Sequence, residues 1–555
     1  MNQKQKRLLL VLILSFVLQF IFLHFGRLEY ETNDDELFNL IAAGAYGFDG
    51  SARLIFINYM FGLFLKLIYF LFPAHNCYLS LFLVLNCLSA MPLCYILSER
   101  LSLRDTAAVV IGVHLILRLN YFAILQFTKN AFLYTVTGFV FLLSGMEQKK
   151  LERILAGLVF MAVGFMVRWE SALFITPFFL VRLFFLCIGE HTGKNALRLS
   201  AVIFALLFAV KAIDALMYSS ASWSDYLRYN SVRSELLDYG FSPSETQSEL
   251  YEKTGFSMND LEVLRDWNFA DDRVFTYEKM KTLDDIQIRQ TMTIAHTISE
   301  ANKAVRNCFG SHPVFPMTWM ILLNLVFIRG SRREKLIASL YTLMILGLYG
   351  FLCVEGRIQW RVELGIWMTP IVLITPFLTN RLPVMKTKTG YFLYAVGIAL
   401  IVYSERDQIL SEYKAPAQEG GAVLIQSLNR QMPQNYFLGD GVALSAVPLV
   451  SDIRDITRKN YEGLFLSNYH ILGGWEYPSP LVKDAESSHG ITNPLEDLLK
   501  ENVYYITRDH PTEHPEEKIL LFLQEHYDEN ATMTDQDYFM GVHLYKYHPS
   551  SSHAD

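Results

Sequence analysis

Residues 154–188 read ILAGLVFMAVGFMVRWESALFITPFFLVRLFFLCI, an apolar run of about 35 residues that is interrupted by Arg168-Trp169-Glu170. A helix of about 20 apolar residues is enough to cross the hydrocarbon of a bilayer, which is ~30 Å thick. The run therefore predicts two membrane helices, with the charged residues at the turn between them. Continuous apolar runs indicate a helical membrane protein, since strands of a membrane β-barrel alternate apolar and polar residues.

The same pattern extends over most of the chain, which has 555 residues of which 52% are hydrophobic. It predicts a polytopic α-helical membrane protein with about eleven spans. The first span follows a basic start and lacks a small-residue cleavage site, so we interpret it as an uncleaved signal anchor. Besides 154–167 and 171–188, the predicted spans are 7–25, 77–97, 106–119, 131–146, 197–217, 313–328, 336–354, 362–379 and 391–404.

Charge and cysteine content argue against two other classes of protein. The net charge is −7 and the basic residues are scattered among loops, so no nucleic-acid partner is expected. The six cysteines show neither the CxxC or Cys/His spacing of a zinc site nor an even disulfide framework.

Segment 53–72 decides the topology, because it is long enough to cross the membrane but carries Arg53, Asn58 and Lys66. If it lies on the outer surface, all the basic clusters between spans fall on the cytoplasmic side, as the positive-inside rule requires. We therefore expect eleven spans plus an outer-surface helix. This topology makes 1–404 the transmembrane domain, with loops 26–76 and 218–312 extracytoplasmic, and 405–555 a separate extracytoplasmic domain.

The two long polar parts show different patterns. In loop 218–312, Trp223, Tyr226, Leu227 and Asn230 stand at helical spacing, which predicts an amphipathic helix near the membrane interface. The tail changes from a helical period to alternation, which indicates a small α/β domain. Its predicted elements are helices at 420–431 and 515–527 and strands at 435–439, 503–507 and 542–547.

A cluster of acids follows the first span in TNDDELFNLIAAGAYG, residues 32–47. Asn33 could cap a helix together with Glu36, and Asp34 and Asp35 would complement the positive end of the helix dipole. Capping explains why a helix begins here. It leaves open whether the acids also perform chemistry at the membrane surface.

The arrangement resembles the GT-C superfamily of membrane glycosyltransferases, which includes protein O-mannosyltransferases and the aminoarabinose transferases of lipid A. The resemblance is carried by the acidic pair with Phe38 and the small-residue helix ending in Gly, by the surface segment 53–72, and by the basic turn in CYILSERLSLRD. The large loop after the seventh span and the C-terminal domain match the family in layout. The Asp-Asp pair and the missing His-Pro-Pro run depart from the mannosyltransferase pattern, which leaves the sugar and the acceptor open.

The resemblance implies a multi-pass glycosyltransferase of the bacterial plasma membrane. Such enzymes move a sugar from a polyprenyl-phosphate donor to a glycan, lipid or protein acceptor of the cell envelope. By the resemblance, Asp34 is the catalytic base, and Asp35 holds a sugar hydroxyl or a metal ion. Some members need a divalent cation such as Mg²⁺ or Mn²⁺ and others do not, and two acids alone do not decide between these cases. Glu36, Arg53 and Asn58 are further candidates for substrate binding.

Basic residues near the outer ends of spans are candidates to hold the lipid phosphate. Arg168 with Glu170, Arg357 and Arg361 stand in VRWES and EGRIQWRVE. The alternative is that each arginine only pairs with a neighbouring acid, namely Glu170, Glu355 or Glu363. Arg228 and Arg233 on the loop helix are candidates for acceptor binding.

Three other functions use the same features. A transporter or flippase for a lipid-linked or anionic substrate would use these charges as a pathway. Transporters often show paired repeats and broken helices at mid-membrane, whereas this sequence shows no convincing internal repeat and its charges gather at one face. A non-catalytic scaffold would use the tail to bind a partner. The third alternative is a polymerase or ligase of surface polysaccharide, which would also act on glycans.

Overall fold

The structure is a computed structural model, and the residues it describes begin at Met1 and end at Ser550. Within that range it leaves out residues 48, 191–192, 240, 242, 244–247, 292, 380–387, 405, 407–419, 442–443, 445–448 and 509–512. Helices dominate the first 404 residues. In chain order they are α1 Gln3–Phe25, α2 Asn33–Ala43, α3 Tyr59–Leu71, α4 Cys77–Leu97, α5 Leu103–Leu117, α6 Phe127–Gln148, α7 Leu151–Val167, α8 Trp169–Glu190, α9 Gly193–Met217, α10 Ala221–Leu237, α11 Ser248–Tyr251, α12 Met258–Arg265, α13 Tyr277–Thr291, α14 Ile294–Arg306, α15 Val314–Arg329, α16 Arg332–Glu355, α17 Trp360–Thr379 and α18 Lys388–Ser404.

The chain is a membrane-spanning protein by the length and composition of its helices. Among the described residues, seven helices are long and apolar enough to cross a bilayer, or eight if the pair α14 and α15, bent by 85°, counts as one span. Each of the eleven predicted spans coincides with a helix, and the break between α7 and α8 lies at Arg168 as predicted. The count of eleven spans remains a prediction.

Segment 53–72 forms a helix only over α3, whose 13 residues extend about 20 Å. That length is less than the ~30 Å of bilayer hydrocarbon. Phe61, Leu65 and Tyr69 are buried against the protein, whereas Leu67 and Phe70 are more than half exposed. A short helix with one packed face and one exposed apolar face agrees with a surface position.

Helices α6 and α7 form a hairpin in which the two backbones lie in close contact. A Cβ atom added to Gly138, Gly157 or Gly164 would overlap backbone or side-chain atoms of the facing helix. Small residues permit such an approach, which helices use to pack inside membranes. The first residue of the hairpin, Phe127, donates a backbone hydrogen bond to Asp35, and its last helix ends at the C-cap residue Arg168.

Strands β1 Glu29–Tyr30 and β2 Ile124–Leu125 form a short parallel pair. The tail contains a five-stranded sheet built from β3 Tyr436–Gly439, β4 Tyr469–Ile471, β5 Val503–Thr507, β6 Thr532–Phe539 and β7 Val542–His548. Its order is β4-β3-β5-β7-β6, with β4, β3 and β5 parallel and β7 antiparallel to both neighbours. The predicted strands β3, β5 and β7 are confirmed, as are the predicted helices, observed as Gly421–Gln431 and Pro515–His526. Strands β4 and β6 were not predicted.

The loop between α9 and α14 packs against this sheet to form one body, which we call the cap. Leu261, Phe269 and Met280 of the loop share a buried core with Leu438 and Phe522 of the tail. The backbone amide of Ala270 donates a hydrogen bond of 3.0 Å to Leu472 in the tail. The cap therefore combines the part of loop 218–312 that precedes α14 with residues of the predicted 405–555 domain.

The amphipathic loop helix is confirmed as α10, but its apolar face contacts protein. Trp223 and Tyr226 lie in a buried cluster with Tyr218, packed against Ile55 and Tyr59. The Tyr226 hydroxyl donates a hydrogen bond of 2.7 Å to the carbonyl of Trp475. The apolar stripe that suggested a membrane interface instead attaches the cap to the segment before α3.

Candidate functional site

A cavity of about 960 Å³ lies where the cap meets the ends of the membrane helices and the start of α2. Apolar and charged side chains both form its wall. From α2, the membrane helices and the turns between them it is lined by Asp34, Glu36, Leu37, Phe132, Arg168, Glu170, Phe174, Phe351, Leu352, Arg357 and Arg361, and from the cap by Arg233, Asp238, Trp267, His470, Trp475 and Glu476.

Helix α2 begins one residue earlier than the capping interpretation requires. Thr32 is the N-cap residue, and its side chain makes no capping hydrogen bond. The predicted capping box of Asn33 and Glu36 is therefore wrong. Glu36 instead accepts hydrogen bonds from the backbone amides of Leu449, at 3.1 Å, and Val450, at 2.9 Å.

Glu36 thus attaches the cap to α2, at the edge of the cavity. Burial raises its pKa to about 7, and the two amide hydrogen bonds partly offset that rise. Substrate binding by Glu36 remains a prediction, because its carboxylate already serves as an acceptor for the cap backbone.

Asp35 is almost fully buried, with 1% of its surface exposed. Its Oδ1 accepts a hydrogen bond of 2.7 Å from the Tyr78 hydroxyl and one of 3.0 Å from the backbone amide of Phe127. The amide is brought there by the parallel pairing of β1 Glu29–Tyr30 with β2 Ile124–Leu125. Asp35 is not among the residues that line the cavity. Its position therefore does not support the predicted contact with a sugar hydroxyl or a metal ion.

Asp34 lines the cavity and is partly exposed. Burial raises the pKa of this carboxyl above its ordinary value, and Asp238 adds to the rise. Arg361, Arg168 and Arg233 act in the opposite direction. Asp34 is therefore a carboxylate on the cavity wall with three arginines within electrostatic range.

The cations on the membrane-helix side have different partners. Arg168 forms the predicted ion pair with Glu170, Nε to Oε2 at 3.4 Å, and lies over the rings of Phe56 and Phe127. Arg357 pairs with Asp238 at 3.3 Å instead of the predicted neighbour Glu355.

Arg361 does not pair with Glu363, so that predicted pair is wrong. Glu363 is fully buried and accepts hydrogen bonds from Asn307 and Tyr349, both at 3.0 Å. Within the described part of the chain, the Arg361 side chain makes neither a hydrogen bond nor an ion pair at contact distance. It stands at the first turn of α17 and faces the cavity, which makes it the cation most available to an anionic ligand.

Arg233, on helix α10 of the cap, shares an acidic partner with Arg357. It is 1% exposed, pairs with Asp238 at 2.9 Å and lies over the indole of Trp267, 5.2 Å from its centroid. Asp238 thus receives both Arg233 and Arg357.

Three predicted residues lie away from the cavity. Arg53 donates to the carbonyl of Met217 and lies between the rings of Tyr59 and Trp223. Asn58 caps α3 by accepting from the amide of Met60. Arg228 is exposed and covers the ring of Tyr277. Their contacts support structural roles, and none of the three lines the cavity.

From the sequence, Lys129 is only a weak candidate for the lipid phosphate, because a lysine beside a span commonly extends to the membrane surface. In the structure it is 1% exposed, forms an ion pair with Glu31 at 2.5 Å and does not line the cavity. Two cavity residues were not found from the sequence. Trp267 and Glu476 come from the cap, and only the Gly-Gly-Trp-Glu run at 473–476 hinted at a special conformation. Among described residues, the groups of three convergent metal-ligand atoms are Asp260, Glu525 and His526, and His514, Glu516 and Glu517, both remote from Asp34 in the sequence.

Comparison with known proteins adds no relative. No protein-family model, no curated protein and no solved structure matches this chain.

Proposed function

We propose that this chain is an integral membrane glycosyltransferase that moves a sugar from a polyprenyl-phosphate donor to an acceptor of the cell envelope. The reaction takes place at the extracytoplasmic face of a bacterial plasma membrane. One observation carries the proposal: the Asp34 carboxylate shares the wall of a cavity of about 960 Å³ with Arg168, Arg357 and Arg361, which stand at the ends of membrane helices.

The carboxylate supplies the base that the reaction needs. As the acceptor hydroxyl attacks the anomeric carbon, its proton passes to Asp34, and a well-placed base of this kind contributes about 10²–10⁴ in rate. The raised pKa of Asp34 improves its ability to take a proton at neutral pH. Asp35, held by Tyr78 and Phe127, fixes the start of α2 and so the position of Asp34.

The arginines supply the stabilisation of the leaving group. The bond between the anomeric carbon and the phosphate oxygen breaks, a new bond to the acceptor oxygen forms, and the lipid phosphate departs with the bonding electrons. Guanidinium groups stabilise such an anion through charge-assisted hydrogen bonds. Arg361 suits this role because no acid of the described chain forms an ion pair with it. Arg168 and Arg357, in contrast, already form ion pairs with Glu170 and Asp238.

The cavity also has a surface that fits an isoprenoid chain. Three membrane helices line it beside the arginines with Phe132 of α6, Phe174 of α8, and Phe351 and Leu352 of α16. A lipid-linked donor needs apolar contacts next to its phosphate site, and this combination supplies both.

The test separates transfer from transport. The purified chain in lipid nanodiscs is incubated with a panel of polyprenyl-phosphate monosaccharides, with an envelope-glycan extract or water as the acceptor of the sugar, and mass spectrometry follows the release of free polyprenyl phosphate. We expect release with at least one donor, and less release by Arg361→Gln than by an Arg228→Gln control. Movement of an intact lipid-linked sugar across liposomes, without cleavage of any donor, would contradict the proposal and support a flippase.

A further inference from the structure

The cap presents an aromatic side chain to the cavity in an unusual backbone conformation. Trp267 has φ = 60°, which is rare for a bulky residue, and its partly exposed side chain forms part of the cavity wall. Residues held in such conformations are found at ligand sites when the surrounding structure imposes them.

The tail imposes the conformation of Trp267. Gly441 and Gly473 approach its carbonyl oxygen so closely that a Cβ atom at either position would overlap it. The next residue, Asn268, accepts a hydrogen bond of 2.8 Å from the amide of Gly441 and donates one of 3.0 Å to Asp440. The backbone that carries the indole is therefore held by close contacts and hydrogen bonds with the tail.

A carboxylate stands on the same side of the cavity. Glu476 is 5% exposed and lines the cavity, yet no side chain of the described residues donates a hydrogen bond to its carboxylate or forms an ion pair with it. Its neighbour Trp475 packs against Phe38 and Phe56, with ring centroids 5.1 Å apart in both pairs. That packing connects Glu476 to helix α2, which carries Asp34.

Glu476 also lies within electrostatic range of Asp34. Burial raises the pKa of Glu476 to about 7; a hydrogen bond from its own backbone amide and the charge of Arg233 lower this pKa, and Asp34 raises it. Glu476 and Asp34 thus sense one another electrostatically, one from the cap and one from α2.

We propose that Trp267 and Glu476 form a subsite for a sugar ring of the acceptor, so that the acceptor is a glycan. This inference rests on the proposed function and names its acceptor class. The flat apolar face of an indole suits the C–H face of a pyranose ring, and a carboxylate without a side-chain partner accepts hydrogen bonds from ring hydroxyls. Arg168, Arg357 and Arg361 occupy the membrane-helix side, where the lipid phosphate must lie, which leaves the cap side for the acceptor.

The subsite is tested by measuring the binding of disaccharides, which does not require that the protein transfers a sugar. Saturation-transfer difference NMR is recorded on the full chain in nanodiscs with cellobiose, maltose, chitobiose and a serine-containing heptapeptide. We expect a saturation-transfer signal from one or more disaccharides, strongest at the ring protons of one sugar unit. Trp267→Leu should weaken that binding roughly fivefold, since a stacked aromatic contact contributes about 1 kcal/mol beyond its buried area.

Matched variants separate the subsite from general damage to the fold. Trp267→Phe keeps a flat ring and should retain most of the binding. Trp223→Phe changes a buried tryptophan outside the cavity, and should have no effect. Glu476→Gln should weaken disaccharide binding, whereas Glu486→Gln, a buried acid of the same domain outside the cavity wall, should not.

Two results would overturn the inference: saturation of the peptide only, or disaccharide binding that is unchanged in both Trp267→Leu and Glu476→Gln. The donor-cleavage assay gives the other readout. If Trp267-dependent disaccharide binding is found but no donor is cleaved, the subsite stands and the proposed transfer fails. If donor is cleaved but no disaccharide binds, the reaction stands and the glycan acceptor fails.

Discussion

The Tyr78 hydroxyl lies 2.7 Å from Oδ1 of Asp35 and donates a hydrogen bond to it inside the protein. The preceding residue, Asp34, lies on the wall of the cavity. Adjacent side chains of a helix diverge by about 100°, so the two acids of one pair meet different surroundings. The proposed mechanism depends on this difference: Asp35 is buried and holds the start of α2, whereas Asp34 is partly exposed on the cavity wall.

Loss of the Tyr78 hydroxyl should lower stability. Tyr78→Phe removes one hydrogen bond from a buried carboxylate, which we expect to cost about 1–3 kcal/mol in the free energy of unfolding. Thermal unfolding of the purified protein in detergent measures the effect. Tyr95→Phe is the control, because the Tyr95 hydroxyl, on the same helix, makes no hydrogen bond within the described chain. An equal loss in both variants would contradict the anchoring role of Asp35.

The contact between α6 and α7 should tolerate no larger residue. Gly157→Val and Gly164→Val place methyl groups where Leu142, Thr135 and the facing backbone already lie, so the helices must separate. We expect lower yield of folded protein and a lower unfolding temperature, by fluorescence-detected size-exclusion chromatography. Gly347→Val is the control, since nothing lies within 4 Å of a Cβ atom there. Normal stability of both hairpin variants would show that the helices are not in close contact.

Buried Glu486 should make stability depend on pH. Burial raises its pKa from 4.5 to about 8, Lys483 partly offsets the rise, and Asp272 and Asp497 add to it. The folded protein keeps this proton where the unfolded chain has lost it. The resulting contribution to stability is fully present below the unfolded pKa of 4.5 and is lost as pH rises through about 8.

The measurement compares unfolding temperatures of the wild type and Glu486→Gln from about pH 7 to about pH 8.5, and we expect the wild type to lose more stability over that interval. The nearby His470, with a pKa lowered by burial to about 4, opposes the trend only at lower pH, because its ordinary value is 6.5. Parallel curves for the two proteins would mean that Glu486 ionises normally.

Local pattern was enough to predict much of the fold. The apolar runs gave the membrane helices because the length of hydrocarbon sets the length of a span. The change of period gave β3, β5 and β7, whose residues are mostly buried. Strand β4 is three residues long and β6 is largely exposed, so neither shows an apolar pattern that could be recognised.

The site could be predicted only in part, because its residues meet through tertiary contacts. The acids of α2 and the arginines at helix ends were visible from their positions beside apolar runs. The amides that bind Glu36 lie more than 400 residues away in the chain, at Leu449 and Val450. Trp267 and Glu476 stand in different segments, and only the packing of loop against tail brings them to one cavity.

The most direct test of the account is sugar transfer by Asp34→Asn. The substitution keeps the size of the side chain and removes the base, so we expect a folded, membrane-inserted protein that still binds the donor. Transfer from a polyprenyl-phosphate donor should fall by about 10²-fold or more, whereas Asp49→Asn, a control at an acid that is 79% exposed, should transfer normally. Transfer by Asp34→Asn at the rate of the wild type would contradict the central claim.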